Sequence, residues 1–237
     1  MGSAKKLAAA VLGATLVASA SLASAAITTT FGEAAPSSNI IVSHDALSLG
    51  SANAWFNDGP SNNGNRLVSE SFTVPSGPDY NLDKISMRLD QTLASSFTSP
   101  SGISVDLYEV SSPLTNPVLG TLIAGQVGTM QPDTSTATAG TYFTFDMDSG
   151  VTLEAGKSYA YVLGMDNPDA GYKILRLNIP DTAGDGARAW QNTNGGGWVN
   201  TSATYTYYIQ GTPVPEPAMG GLLLIGLGML GRRVRRA

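Results

Sequence analysis

The chain has 237 residues, of which 13% are charged and 8% aromatic, while 27 Gly and 13 Pro argue against long helices or a coiled coil. It contains no cysteine, which excludes disulfide frameworks, Cys-ligated zinc, iron–sulfur clusters and thiol catalysis together. The single histidine, His44, is the one residue on which a Ser-His-Asp triad or a histidine metal site could be built within the chain.

Residues 1–26 read as a secretory signal peptide. Lys5 and Lys6 precede an apolar run over 7–22, and the small residues Ala23, Ala25 and Ala26 follow, with cleavage expected after Ala25 or Ala26 by signal peptidase. Residues 27–39, rich in Thr, Ala and Ser, are expected to form a loose leader. The body, 27–213, carries seven basic against seventeen acidic residues, a formal charge of −10. A surface this acidic repels phosphate backbones, so no nucleic-acid partner is expected.

Over 40–212 the hydrophobic period is two. Ile85-Met87-Leu89, Ile103-Val105-Leu107 and Phe143-Phe145-Met147 each alternate with polar neighbours. Further strands are expected at 68–74, 118–123, 158–164, 172–177, 187–191 and 204–210, between turn clusters such as Asn57-Asp58-Gly59-Pro60. The expected fold is all-β: an antiparallel β-sandwich, jelly-roll or immunoglobulin-like, flanked by an N-terminal signal helix and a short C-terminal transmembrane helix. In Leu153-Glu154-Ala155-Gly156-Lys157-Ser158-Tyr159, the spacing suits a tyrosine corner in which Tyr159 returns its hydroxyl to the backbone a few residues upstream.

Two ligand readings attach to this body. Asp146 and Asp148 lie two apart on one strand face, and Asp181 and Asp185 sit in a Gly-rich polar loop, so either pair offers oxygen donors for calcium, without the spacing of an EF-hand. Otherwise no cofactor is expected. Trp190, Trp198, Tyr205 and Tyr207 crowd the last fifth of the body, where such rings more often fill a sandwich core, while on a sheet surface they could stack on sugars. Tyr205 and Tyr207 share one strand face and Tyr208 takes the other. No catalytic residue is assigned and the protein is expected not to be an enzyme. A glycosidase pair would need two carboxylates set across a cleft, a geometry that spacing alone does not establish.

The C-terminus, 213–237, carries a second signal. Val214-Pro215-Glu216-Pro217-Ala218 precedes an apolar stretch over 218–231 and a basic tail over 232–236 containing Arg232 and Arg233. Fourteen residues span roughly 21 Å as a helix, short of a hydrocarbon core of about 30 Å, which suits a transient membrane segment. The arginines would stay cytoplasmic. Together these elements resemble the PEP-CTERM sorting signal of Gram-negative bacteria, which implies processing by exosortase near Pro-Glu-Pro. The body resembles the type R choice-of-anchor domains in Ile103-Ser104-Val105-Asp106-Leu107-Tyr108, the Leu153–Tyr159 corner and Gly196-Gly197-Trp198 before the terminal strand. That resemblance implies an extracellular β-sandwich with no established enzymatic activity. The expectation is therefore an exported, non-enzymatic protein of the cell surface or of an exopolysaccharide or biofilm matrix. A carbohydrate-binding module, with or without calcium, is the alternative, and a secreted hydrolase is a weaker third reading.

Overall fold

Residues 26–45, 51–57, 64–93, 97, 99–117, 120–133, 135–147, 150–167, 173–179, 188–201 and 203–215 are described by the computed structural model. They form fourteen strands: β1 (Ala26–Glu33), β2 (Ile40–His44), β3 (Ser51–Asn57), β4 (Asn65–Thr73), β5 (Tyr80–Arg88), β6 (Ser101–Val110), β7 (Thr121–Met130), β8 (Tyr142–Asp146), β9 (Thr152–Leu153), β10 (Ser158–Met165), β11 (Lys173–Ile179), β12 (Arg188–Thr193), β13 (Trp198–Asn200) and β14 (Tyr207–Pro213). The two terminal helices of the expected fold lie outside the described residues.

The strands join into one curled open sheet in the order β11-β3-β4-β10-β6-β7-β1-β8-β5-β14-β2, with β12 and β13 continuing from β4 and β9 from β5. Its two halves face each other across a shared core, an arrangement consistent with a β-sandwich. Alternation in the sequence explains the layers. On β6, Ile103, Val105 and Leu107 are buried while Gly102, Ser104, Asp106 and Tyr108 are partly exposed. Trp55 of one half stacks on Phe143 of the other at 6.2 Å, and Tyr161 meets Tyr207 edge-on at 6.4 Å. These rings are fully or almost fully buried, so they supply much of the apolar area that holds the halves together.

The seam between the halves is β1, which corrects the expected loose leader. Ala26 and Ile27 pair in parallel with Val127 and Gly128 of β7, and the strand then runs antiparallel to β8 from Thr28↔Asp146 to Glu33↔Tyr142. Ile27 is buried and the Phe31 ring stacks on Phe143 at 5.6 Å. A Thr-rich segment makes a good strand because β-branched side chains suit a pleated surface, so the polar composition that suggested a leader misled. Gly32, at φ 81°, allows the bulge between Phe31 and Glu33. At the other end of the order, β11 meets the residue just after β5 through the isolated Leu89–Leu177 bridge, and the Thr206 N–H donates to the Asn178 carbonyl at 3.1 Å. β7 runs from Thr121 to Met130, well past the short strand expected at 118–123.

Candidate functional site

The outer face of β4, β10, β6 and β7, with Asn57 at the end of β3, carries a groove of about 260 Å³. Strand register builds it. Trp198 faces Asn192, Asn192 faces Leu67, Gly164 faces Ser104, and Ser104 faces Val127. Gly164 closes this row between Leu67 and Ser104: a Cβ on it would lie 3.7 Å from Leu67 Cδ2 and collide with Ser104 Oγ. Because residues paired across a sheet share a face, one line of side chains crosses the strands from Trp198 to Val127. The missing side chain at Gly164 leaves the trough that Leu67, Ser104 and Val127 flank.

Polar groups surround this trough. Asn57, Asn65, Ser104 and Asp166 line it, and the Asp166 carboxylate leans over Gly102, whose added Cβ would sit 3.2 Å from it. The Asp166 N–H donates to the Gly102 carbonyl at 2.7 Å, which anchors the backbone under its carboxylate, and Asn57 Nδ2 donates to the Met165 carbonyl at 2.7 Å, which holds the amide side chain in place. Two residues along β6, Asp106 sits over Gly125, and burial pushes its carboxyl above the usual range. Val127 is 52% exposed and Trp198 is half-buried. The groove thus combines amide, hydroxyl and carboxylate groups with apolar surface.

The residues expected from the sequence are dispersed relative to this groove. Tyr205 and Tyr207 are almost wholly buried, which corrects their reading as a surface platform: the face they share points into the core. Burial is the first cause that raises the phenol pKa values of Tyr161, Tyr205 and Tyr207, with the nearby Glu70 charge adding to it. Trp190 is buried on β12, and its indole nitrogen lacks a hydrogen-bond partner among the described residues. Of the four rings, Trp198 alone lies on the groove's row. On the opposite outer face, Tyr208 packs edge-on against Tyr142 at 5.5 Å, and Tyr142 donates to Asp45 Oδ1 at 3.2 Å. Burial is also the main cause that pushes the Tyr208 phenol up to about 12.

Asp146 forms an ion pair with Lys84 at 2.6 Å, whereas Asp148, Asp181 and Asp185 lie outside the described residues. No cluster of three or more His, Asp or Glu side chains suited to a metal occurs among the described residues. His44 lies on β2 in register with Tyr207, away from the groove row. Tyr159 accepts the Glu154 N–H at 2.9 Å, and its ring lies 5.9 Å from that of Phe72. Lys173 is buried and donates to the Ser99 and Pro100 carbonyls at 3.0 and 3.4 Å, which pins the chain leading into β6. The groove itself could be read from the sequence only as the unexplained glycines at 102 and 164 within strand patterns, which mark places where another group approaches closely.

The described chain ends as a strand. Pro213 pairs with Tyr80, the Val214 N–H donates to the Asp79 carbonyl at 2.8 Å, and Pro215 follows exposed, while Ala23 and Ala25 and residues 216–237, with Glu216, Pro217, Ala218, Arg232 and Arg233, lie outside the described residues. A PEP-CTERM protein-sorting motif matches residues 213–237, starting at the last residue of β14. This motif marks an exported protein sorted to the cell envelope and implies processing by exosortase. No curated protein matches the sequence. Among solved structures, the chain is similar to the cysteine protease and lectin-like domains of Cwp84, a surface layer associated protein of Clostridium difficile, at 12% identity and a TM-score of 0.40 over 63% of this chain and 32% of that one. A second structure, clostridial cysteine protease Cwp84 after propeptide cleavage, matches at 12% identity and a TM-score of 0.43 over 72% and 40%. The chain spans about a third to two fifths of the length of these structures.

Proposed function

We propose that the protein is a non-enzymatic β-sandwich component of the outer cell surface or exopolysaccharide matrix of a Gram-negative-type bacterium. It is delivered by its signal peptide and released or transferred when exosortase removes the tail. The observation that carries this reading is the junction at Pro213, where the last core strand ends and the sorting motif begins. Cleavage near Val214–Pro217 would leave β14 fully paired, so processing would cost the fold little. The choice-of-anchor resemblance of the body supports the same reading, because such domains are extracellular. The non-enzymatic character rests on the chemistry available: no thiol, one histidine set on an edge strand, and a buried lysine committed to backbone carbonyls. Intact-mass and C-terminal peptide analysis of the protein from its native host tests this. A C-terminus near Val214–Pro217 is expected, and a mature protein retaining 219–237 would overturn it in favour of a permanent inner-membrane tether. Carbohydrate binding is the second reading, favoured by the groove.

A further inference from the structure

We propose that the cross-strand row Trp198–Leu67–Gly164–Ser104–Val127 is the binding site for an extended neutral or amino-bearing glycan, with Trp198 at one end and Asp166, Asn57 and Asn65 beside the trough. The proposal deepens the reading of an exported matrix protein by naming what it would hold. Three observations carry it.

The first is direction. The row steps from strand to strand across β13, β12, β4, β10, β6 and β7, so at about 4.8 Å per strand it spans roughly 24 Å. This length suits an oligosaccharide rather than a single sugar.

The second is the state of the backbone. A peptide joins a sheet by pairing with a free edge, but β4, β10 and β6 beneath the row are already paired on both sides. A ligand lying there must be recognised by side chains. Ser104, Asn65 and Asp166 offer the mixed donors and acceptors that a hydroxyl-rich chain requires, and the Trp198 ring, together with exposed Val127, offers apolar surface to sugar faces.

The third is charge. The described ionisable side chain lining the trough is Asp166, with Asp106 two residues beyond Ser104, in a body of net charge −10. An acidic polysaccharide would be repelled, whereas an amino sugar would be attracted.

The test is affinity electrophoresis and calorimetry with the mature protein at physiological salt, using soluble β-glucan and xylan as neutral probes, chitosan oligomers as amino probes and alginate as an acidic one. Binding to a neutral or amino probe, with none to alginate, is expected. Trp198→Ala and the groove-filling Ser104→Phe should each weaken it at least tenfold with an unchanged unfolding temperature. If Ser104→Phe lowers that temperature, Asp166→Asn, which adds no bulk, takes its place. Full-strength binding in folded variants overturns the proposal, as does equal binding to alginate or binding to none of the probes. None of these outcomes bears on tail processing, which the C-terminal mass decides separately.

Discussion

Inside the core the Glu70 carboxylate accepts the backbone N–H of Tyr205 at 2.8 Å, joining residues that lie 135 positions apart. Glu70 comes from β4 and Tyr205 from the segment leading into β14, so one hydrogen bond ties the two facing halves together. Both residues are fully buried. Replacing Glu70 with Ala leaves that donor buried without its partner and opens a void, at a cost of about 2–4 kcal/mol. Glu70→Gln retains an acceptor oxygen and should lose less than half as much. Thermal unfolding checks this, with an expected drop of about 5–15 °C for Ala. An equal loss for Gln would show that the charge, rather than the acceptor, matters.

The neighbouring tyrosines differ in how their hydroxyls are satisfied. Tyr205 Oη accepts from Asn53 Nδ2 at 2.6 Å, whereas Tyr161 Oη is buried without a hydrogen-bond partner among the described residues. Tyr205→Phe is expected to cost about 1 kcal/mol and Tyr161→Phe to be neutral or stabilising. Denaturant midpoints of the two variants would reverse this order if the Tyr161 hydroxyl holds a partner in solution.

Alkaline pH should destabilise the fold steeply. Tyr161, Tyr205 and Tyr207 have pKa values raised by burial, so above about pH 10 the unfolded chain releases protons that the folded chain retains. Their contribution is fully present below the unfolded pKa and is lost as pH rises from there towards the folded values. With three such groups the slope approaches about 4 kcal/mol per pH unit. Unfolding free energies measured from pH 8 to 11, with tyrosinate absorbance followed in parallel, test this. A flat profile to pH 11 would contradict it.

Strand β1 should be indispensable to the exported domain. Phe31 packs on Phe143 and Ile27 is buried, while β7 and β8 pair with each other only through β1. Phe31→Ala is expected to cost about 2 kcal/mol, since the ring is only half-buried. Removing residues 26–38 should expose two sheet edges and drive aggregation. Soluble, cooperative unfolding of that shortened chain would restore the reading of a dispensable leader.

Asp146 should contribute little to stability or to any calcium response. Its bond to Lys84 is short, but the two side chains are 36% and 41% exposed, where an ion pair is worth about 0–1 kcal/mol. The bond to Asp146 is the first cause that raises the Lys84 pKa. Asp146→Asn is expected to shift the unfolding temperature by no more than about 3 °C and to leave any calcium-induced shift as large as in the native protein. Loss of a calcium effect in that variant would return Asp146 to the metal reading.

The sequence alone determined most of the central strands and the C-terminal sorting signal, but not β1, whose Thr-rich stretch reads as a leader, nor β2, β3, β9 and β13. Period-two alternation at Ile103-Val105-Leu107 and Phe143-Phe145-Met147 is a local consequence of the pleat, and the C-terminal order of Pro-Glu-Pro, apolar stretch and arginines is linear by nature. The Tyr159 corner was legible for the same reason, because its partner lies five residues upstream. Alternation states which residues share a face but not which face is covered. Only the tertiary structure turned Tyr205 and Tyr207 inward against Tyr161 while leaving Trp198 half-exposed. The groove was illegible for a related reason: it depends on register between Trp198, Asn192, Leu67, Gly164, Ser104 and Val127, residues brought into line by strand pairings that no local pattern encodes.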